Sequence, residues 1–256
     1  MSDYTSTEMM TICASRMLRA GQVCFVGIGM PSAAANLARL TNTPDIVLIY
    51  ESGTIGTKPD VLPLSIGDGQ LANTADVVVS VPEMFRYWLQ GGHIDLGFLG
   101  AAQIDKFANI NTTVVGDYHN PKVRLPGAGG APEISTNCKE VLIILKQSTR
   151  SFIEKLDFIT SPGYLDGGDA REKLGLPGQG PKAVITDLGI LEPDPVTKEL
   201  VMTSLHPGIT LEQVKESTGW DLRIATELKV TPAPSAEELE VLRDLNLRTE
   251  RAHKGE

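Results

Sequence analysis

Two rhythms of apolar residues alternate along the chain. Residues 9–20 (MMTICASRMLRA) mix apolar and polar groups at helical spacing and stop at Gly21. VCFVG at 23–27 is a short apolar strand candidate. Gly27, Gly29 and Pro31 then make a tight turn into SAAANLARL at 32–40, a helix with Ser32 at or near its start. Asn42 and Pro44 close that helix, and IVLIY at 46–50 reads as a buried strand. The grammar continues with DVVVS at 76–80 as strand, EMFRYWLQ at 83–90 as helix ending at Gly91 and Gly92, and IDLGFLG at 94–100 as strand. Further strands are expected at 112–117, 140–146 and 183–187, and helices at 210–218 and 235–245. Strand, glycine turn, helix and strand recur through the first half. That order predicts an α/β fold with a mostly parallel open sheet flanked by helices. One domain is expected over 1–256, with the polar end RTERAHKGE fraying from about 246.

Composition narrows this frame. The 256 residues are 41% apolar, enough for a sizeable core. The apolar runs, such as 46–50 and 141–145, are too short to span a bilayer, and the first residues carry acids where a secretory leader carries bases. Lys plus Arg total 23 against 32 Asp plus Glu, a net charge of −9, which argues against nucleic acid and anionic membrane as partners. Cys13, Cys24 and Cys138 are scattered, so they offer no zinc pair and fit a reducing, cytoplasmic setting. Two glycine-rich stretches, 116–133 and 161–181, are long for loops in a compact domain. Such loops carry function or cover a partner.

Four places bear chemistry. The turn VGIGMPS keeps two glycines of a dinucleotide fingerprint, Gly27 and Gly29, but Ser32 replaces the third. It is either a tight strand-to-helix turn or a set of backbone amides for a ligand. Glu51 stands at the C-terminal end of an apolar strand, where open α/β sheets form their ligand crevice. A carboxylate there can be a base, a metal ligand or a nucleophile, or it can cap a helix or pair with a surface cation. In GDYHNPKVRLPGAGGAPEIS at 116–135, Lys122 and Arg124 would share one side of an extended segment. They could meet phosphates, or merely solvate a loop. Gly127, Gly129 and Gly130 could turn amides toward developing negative charge. The stretch 159–189 suggests packing or assembly. His93, His119, His206 and His253 form no metal-binding spacing, and no GxSxG elbow occurs, so metal and triad hydrolysis are poorly supported.

Several of these segments, in this order, are familiar. YESG at 50–53, GAAQID at 100–105, VGDYHNPKVRLPGAGGA at 115–131, TSPGYLDGG at 160–168, REKLGLPG at 171–178 and VITDLGIL at 184–191 resemble the beta subunit of class I coenzyme A transferases, most closely the glutaconate CoA-transferase branch. The resemblance implies that Glu51 is the nucleophile of a ping-pong transfer of coenzyme A between an acyl-CoA and a carboxylic acid, through a glutamyl-CoA thioester. It implies that the amides of the GAGGA stretch, around Gly129 and Gly130 with Gly127 and Ala131, lie near the reacting carbonyl and coenzyme A. Lys122 and Arg124 remain candidates for the phosphates, and Gly27 and Gly29 for oxyanion or turn amides. It implies no metal and no tightly bound cofactor, coenzyme A being substrate and covalent intermediate. It also implies an alpha subunit as partner, in an α2β2 or larger assembly. Relatives on this scaffold include CoA-thioester lyases and hydrolases, which typically lack the glutamate. The presence of Glu51 therefore favours transfer.

Overall fold

The computed structural model describes residues 3–255, and the chain divides into two units, Met1–Phe98 with Ala233–Glu256 and Leu99–Pro232. In the first unit the short apolar segments become strands. These are Val23–Val26 (β1), Val47–Tyr50 (β2), Thr54–Ile55 (β3), Val77–Val78 (β4) and the start of Leu96–Gly100 (β5). β2 and β5 run parallel to β1 on either side, while β3 and β4 add antiparallel beyond β2. Three helices cover this sheet segment. Ser6–Arg16 opens with a capping box, in which Thr5 Oγ1 accepts from the Glu8 amide and the Glu8 carboxylate from the Thr5 amide. Met30–Leu40 is buried from Ser32 to Ala38, mostly through small side chains. Ala236–Lys254 starts with a second capping box, Ser235 with Glu238. The three meet at Ile12, Ala33, Leu37, Leu239 and Leu242. Arg16–Glu238 and Arg243–Glu8 ion pairs, each 2.6 Å, tie their rims together.

The first unit departs from the sequence expectation in four places. The helix predicted from Ser32 begins at Met30, with Gly29 as N-cap and Pro31 in the first turn, so Ser32 lies inside the helix and does not cap it. Expected strand 76–80 contracts to two exposed valines at the sheet's rim, and 84–89 forms a π-helical turn. The end expected to fray from about 246 stays helical to Lys254. Leu242 and Leu245 are buried, and Gly255 closes the helix at φ 76°.

The second unit carries Gln103–Ile104 (β6) against Ile110–Asn111 (β7), and the hairpin Val114–Gly116 (β8) with Pro121–Arg124 (β9). Glu140–Ile144 (β10) and Pro181–Ile185 (β11) pair in parallel. Gly189–Pro193 (β12) and Leu200–Leu205 (β13) follow antiparallel, and Arg223–Val230 (β14) joins β13 in parallel. The sheet is therefore mixed, its parallel part corresponding to the α/β expectation. The antiparallel addition follows from the link Thr186–Leu188, which is too short for a parallel crossover. Thr186 closes it by accepting from the amides of Leu188 and Gly189. The glycine-rich excursion 161–181 is held by Arg171, 5% exposed, which donates to the carbonyls of Ser135, Gly163 and Gly178. Among the described residues no helix is long and apolar enough to cross a membrane.

Candidate functional site

The first unit assembles its candidate residues at one end of its parallel strands. Val26 and Tyr50 are register partners. Gly27 and Glu51 follow them directly, so the glycine turn and the acid leave adjacent strands side by side at their C-terminal ends. Glu51 is half-buried. It occupies a tight turn closed by the Gly53 amide donating to the Tyr50 carbonyl at 3.0 Å. Gly53 adopts φ 103°, a region that favours glycine. A Cβ there would stand 2.0 Å from the Val79 carbonyl oxygen. Gly53, two residues after Glu51, thus makes room for the chain leaving β4, whose Val79 amide donates back to Gly53 O at 2.9 Å.

Across from Glu51, Gly29 at φ 80° turns β1 into the helix Met30–Leu40, with open space where a Cβ would be. The helix offers its N-terminal amides and the positive end of its dipole at this strand edge. Beneath lies a polar connection that sequence reading missed. Tyr50, wholly buried, places its hydroxyl 2.7 Å from Ser32 Oγ. Burial pushes the Tyr50 phenol up to about 12, against the pull of its hydrogen bonds to Ser32 and Asn36. The only signal for it in the sequence was a tyrosine ending an otherwise aliphatic strand.

The other candidates belong to the second unit. Lys122, Val123 and Arg124 are exposed on β9. Arg124 is already engaged: its guanidinium lies 4.8 Å from the Tyr118 ring centre and donates to the Tyr118 carbonyl. Tyr118 stacks in turn on Phe158 at 5.6 Å. Lys122 stands outside that stack. In the GAGGA turn, the Gly127 amide donates to Thr112 O at 2.7 Å and the Ala131 amide to Ala128 O at 3.1 Å. Among the described residues, neither the Gly129 nor the Gly130 amide has a backbone hydrogen-bond partner. Gly130 is the N-cap of helix Ala131–Asn137.

Three of the histidines have other employment. His206 is buried between Thr186 O and Thr231 Oγ1, and burial lowers its pKa. His93 and His119 meet the edges of Trp88 and Tyr118. Among the described residues no three His, Cys, Asp or Glu side chains are grouped to hold a metal. An acid in a strand-end turn beside a helix N-terminus can act as nucleophile or base toward a carbonyl whose developing charge meets backbone amides.

Comparison with known proteins gives a consistent picture. The profile of the coenzyme A transferase family matches residues 7–217. The beta subunit of 3-oxoadipate CoA-transferase from Pseudomonas knackmussii is 67% identical over 99% of this chain and 97% of its own length. The beta subunit of glutaconate CoA-transferase from Acidaminococcus fermentans is 36% identical over 95% of this chain and 92% of its own. The crystal structure of glutaconate coenzyme A-transferase from A. fermentans superposes with a TM-score of 0.88 at 35% identity, covering 94% of each chain.

Proposed function

The chain belongs to the coenzyme A transferase family, and from that premise we propose that it transfers coenzyme A between an acyl-CoA and a carboxylic acid with Glu51 as nucleophile. The observation that carries this reading is the placement of Glu51 in a glycine-closed turn at the strand edge where the helix Met30–Leu40 begins. A Glu51 oxygen attacks the thioester carbonyl carbon, the C–S bond breaks, and coenzyme A leaves as thiolate. The thiolate attacks the glutamyl carbonyl of the mixed anhydride and releases the first acid as carboxylate. A second carboxylate attacks the resulting glutamyl thioester, again expelling the thiolate. The thiolate then attacks the new acyl carbonyl and frees Glu51. Acyl activation is kept throughout, provided water is excluded.

We assign the amides of the Gly27–Gly29 turn to the reacting carbonyl oxygen. Lys122 is assigned to the coenzyme A phosphates and the Gly129 and Gly130 amides to the rest of that molecule. Arg124 acts by holding Tyr118, and Gly127 and Ala131 by shaping the turn. The relative at 67% identity favours 3-oxoadipate over glutaconate as acceptor acid. Both relatives are single subunits of larger enzymes, which supports work with an alpha-type partner, in an α2β2 or larger assembly. Three buried cysteines outside any disulfide fit a cytoplasmic setting.

The test is to incubate the assembled enzyme with acyl-CoA and no acceptor. A glutamyl-CoA thioester should accumulate on the peptide containing Glu51 and be reduced by borohydride to an alcohol visible by mass spectrometry. Turnover without acceptor and without adduct would replace transfer by lysis or hydrolysis.

A further inference from the structure

We infer that Tyr50, Ser32, Asn36 and Arg39 form a clamp by which the helix Met30–Leu40 fixes the segment carrying Glu51. The inference rests on the reading of Glu51 as the reacting carboxylate. The helix touches that segment at both ends. At the near end, Ser32 Oγ meets the Tyr50 hydroxyl at 2.7 Å, one residue before Glu51. The Ser32 carbonyl accepts from Asn36 Nδ2 at 3.0 Å. Asn36 Oδ1 accepts from Arg39 Nε and Nη2, each at 3.2 Å. At the far end, Arg39 Nη2 donates to the Pro59 carbonyl at 2.9 Å. A polar chain along one helix face thus closes a ring around residues 50–59. The same helix supplies the turn amides through Gly29, so the clamp sets acid and amides relative to one helix.

Stability alone does not account for it. Tyr50, Ser32 and Asn36 are each fully buried. A buried neutral hydrogen bond contributes only about 0.5–1.5 kcal/mol net, and apolar groups of the same shape in place of both partners can be nearly neutral. Phenylalanine and alanine would fill the Tyr50 and Ser32 positions, and Asn36 would keep its bonds to the Ser32 carbonyl and Arg39. What the hydroxyl pair adds is direction: it fixes the strand end at one height against the helix. Displacement of a reacting group by about 1 Å can cost roughly 100-fold in rate.

The experiment uses the enzyme assembled with its partner subunit. The double variant Tyr50→Phe/Ser32→Ala should melt close to the wild type. Its kcat should fall about ten- to a hundredfold, with KM for acyl-CoA and acceptor nearly unchanged. Single-turnover formation of the Glu51 adduct should slow by the same factor. Each single substitution should lower kcat in the same direction, because each removes one side of the Tyr50–Ser32 bond. A folded double variant with wild-type kcat would sink the clamp, as would a loss confined to KM. If the double variant fails to assemble, Arg39→Gln reads the far end, with reduced kcat at unchanged KM expected and unaltered kcat overturning the idea. Failure of both to assemble would make the network a structural staple and also overturn it. The wild-type adduct is measured first. Its absence would remove the nucleophile reading, whereas its presence with unaffected variants would remove only the clamp.

Discussion

Tyr50 and Glu51 are neighbours in sequence and opposites in environment. The strand's last residue points its phenol into the core, and the next residue carries a half-buried carboxylate into the turn. That contrast makes the acid sensitive to length as well as charge. Glu51→Gln is expected to abolish transfer, because a neutral amide forms no anhydride. Glu51→Asp keeps the charge but withdraws it by one methylene and should lose roughly 100-fold in kcat. Steady-state rates of the assembled enzyme check both, and a Gln variant that still transfers would reassign the residue. The placement of Glu51 was legible in sequence, since an acid directly after IVLIY and before glycine has to emerge at a strand end. The role of Ser32 was not. A serine after Gly-Met-Pro reads as a cap, and only the register of Val26 with Tyr50 shows its hydroxyl spent on the neighbouring strand.

Among the elements, the hairpin β8–β9 changes meaning most between sequence and structure. Alternation places Lys122 and Arg124 on one side as a matched pair, but folding separates their duties. Arg124 covers the Tyr118 ring, and Lys122 stays exposed. Lys122→Gln is therefore expected to raise KM for acyl-CoA severalfold with little change in kcat. Arg124→Gln should loosen Tyr118 first and be read as a lower melting temperature. Equal KM for wild type and the Lys122 variant would show that Lys122 only solvates the hairpin. The parallel core was readable because its strands are continuous apolar runs separated by helices. The strands β12 to β14 were not, because Leu200–Leu205 and Arg223–Val230 are only partly buried and carry polar residues along their length.

For the molecule as a whole, a loss of stability in acid is expected from a group outside the proposed chemistry. His206 is buried neutral, with a pKa lowered chiefly by burial. The unfolded chain therefore binds a proton that the folded chain refuses, so stability is complete above the unfolded value of about 6.5 and declines as pH falls below it. Melting temperatures recorded from pH 7 to 5 should drop more for the wild type than for His206→Asn. Parallel curves would clear His206 of the effect. Arg171 has another kind of consequence. Its one guanidinium gathers carbonyls from three separate stretches of chain, at Ser135, Gly163 and Gly178. Lysine, with three donors on a point charge, cannot copy that planar fork. Arg171→Lys should therefore open residues 161–181 to limited proteolysis while distant cleavage sites stay protected. A knot tied from three strands of rope loosens all at once: losing the Arg171 fork should speed hydrogen exchange together at the amides around Ser135, Gly163 and Gly178.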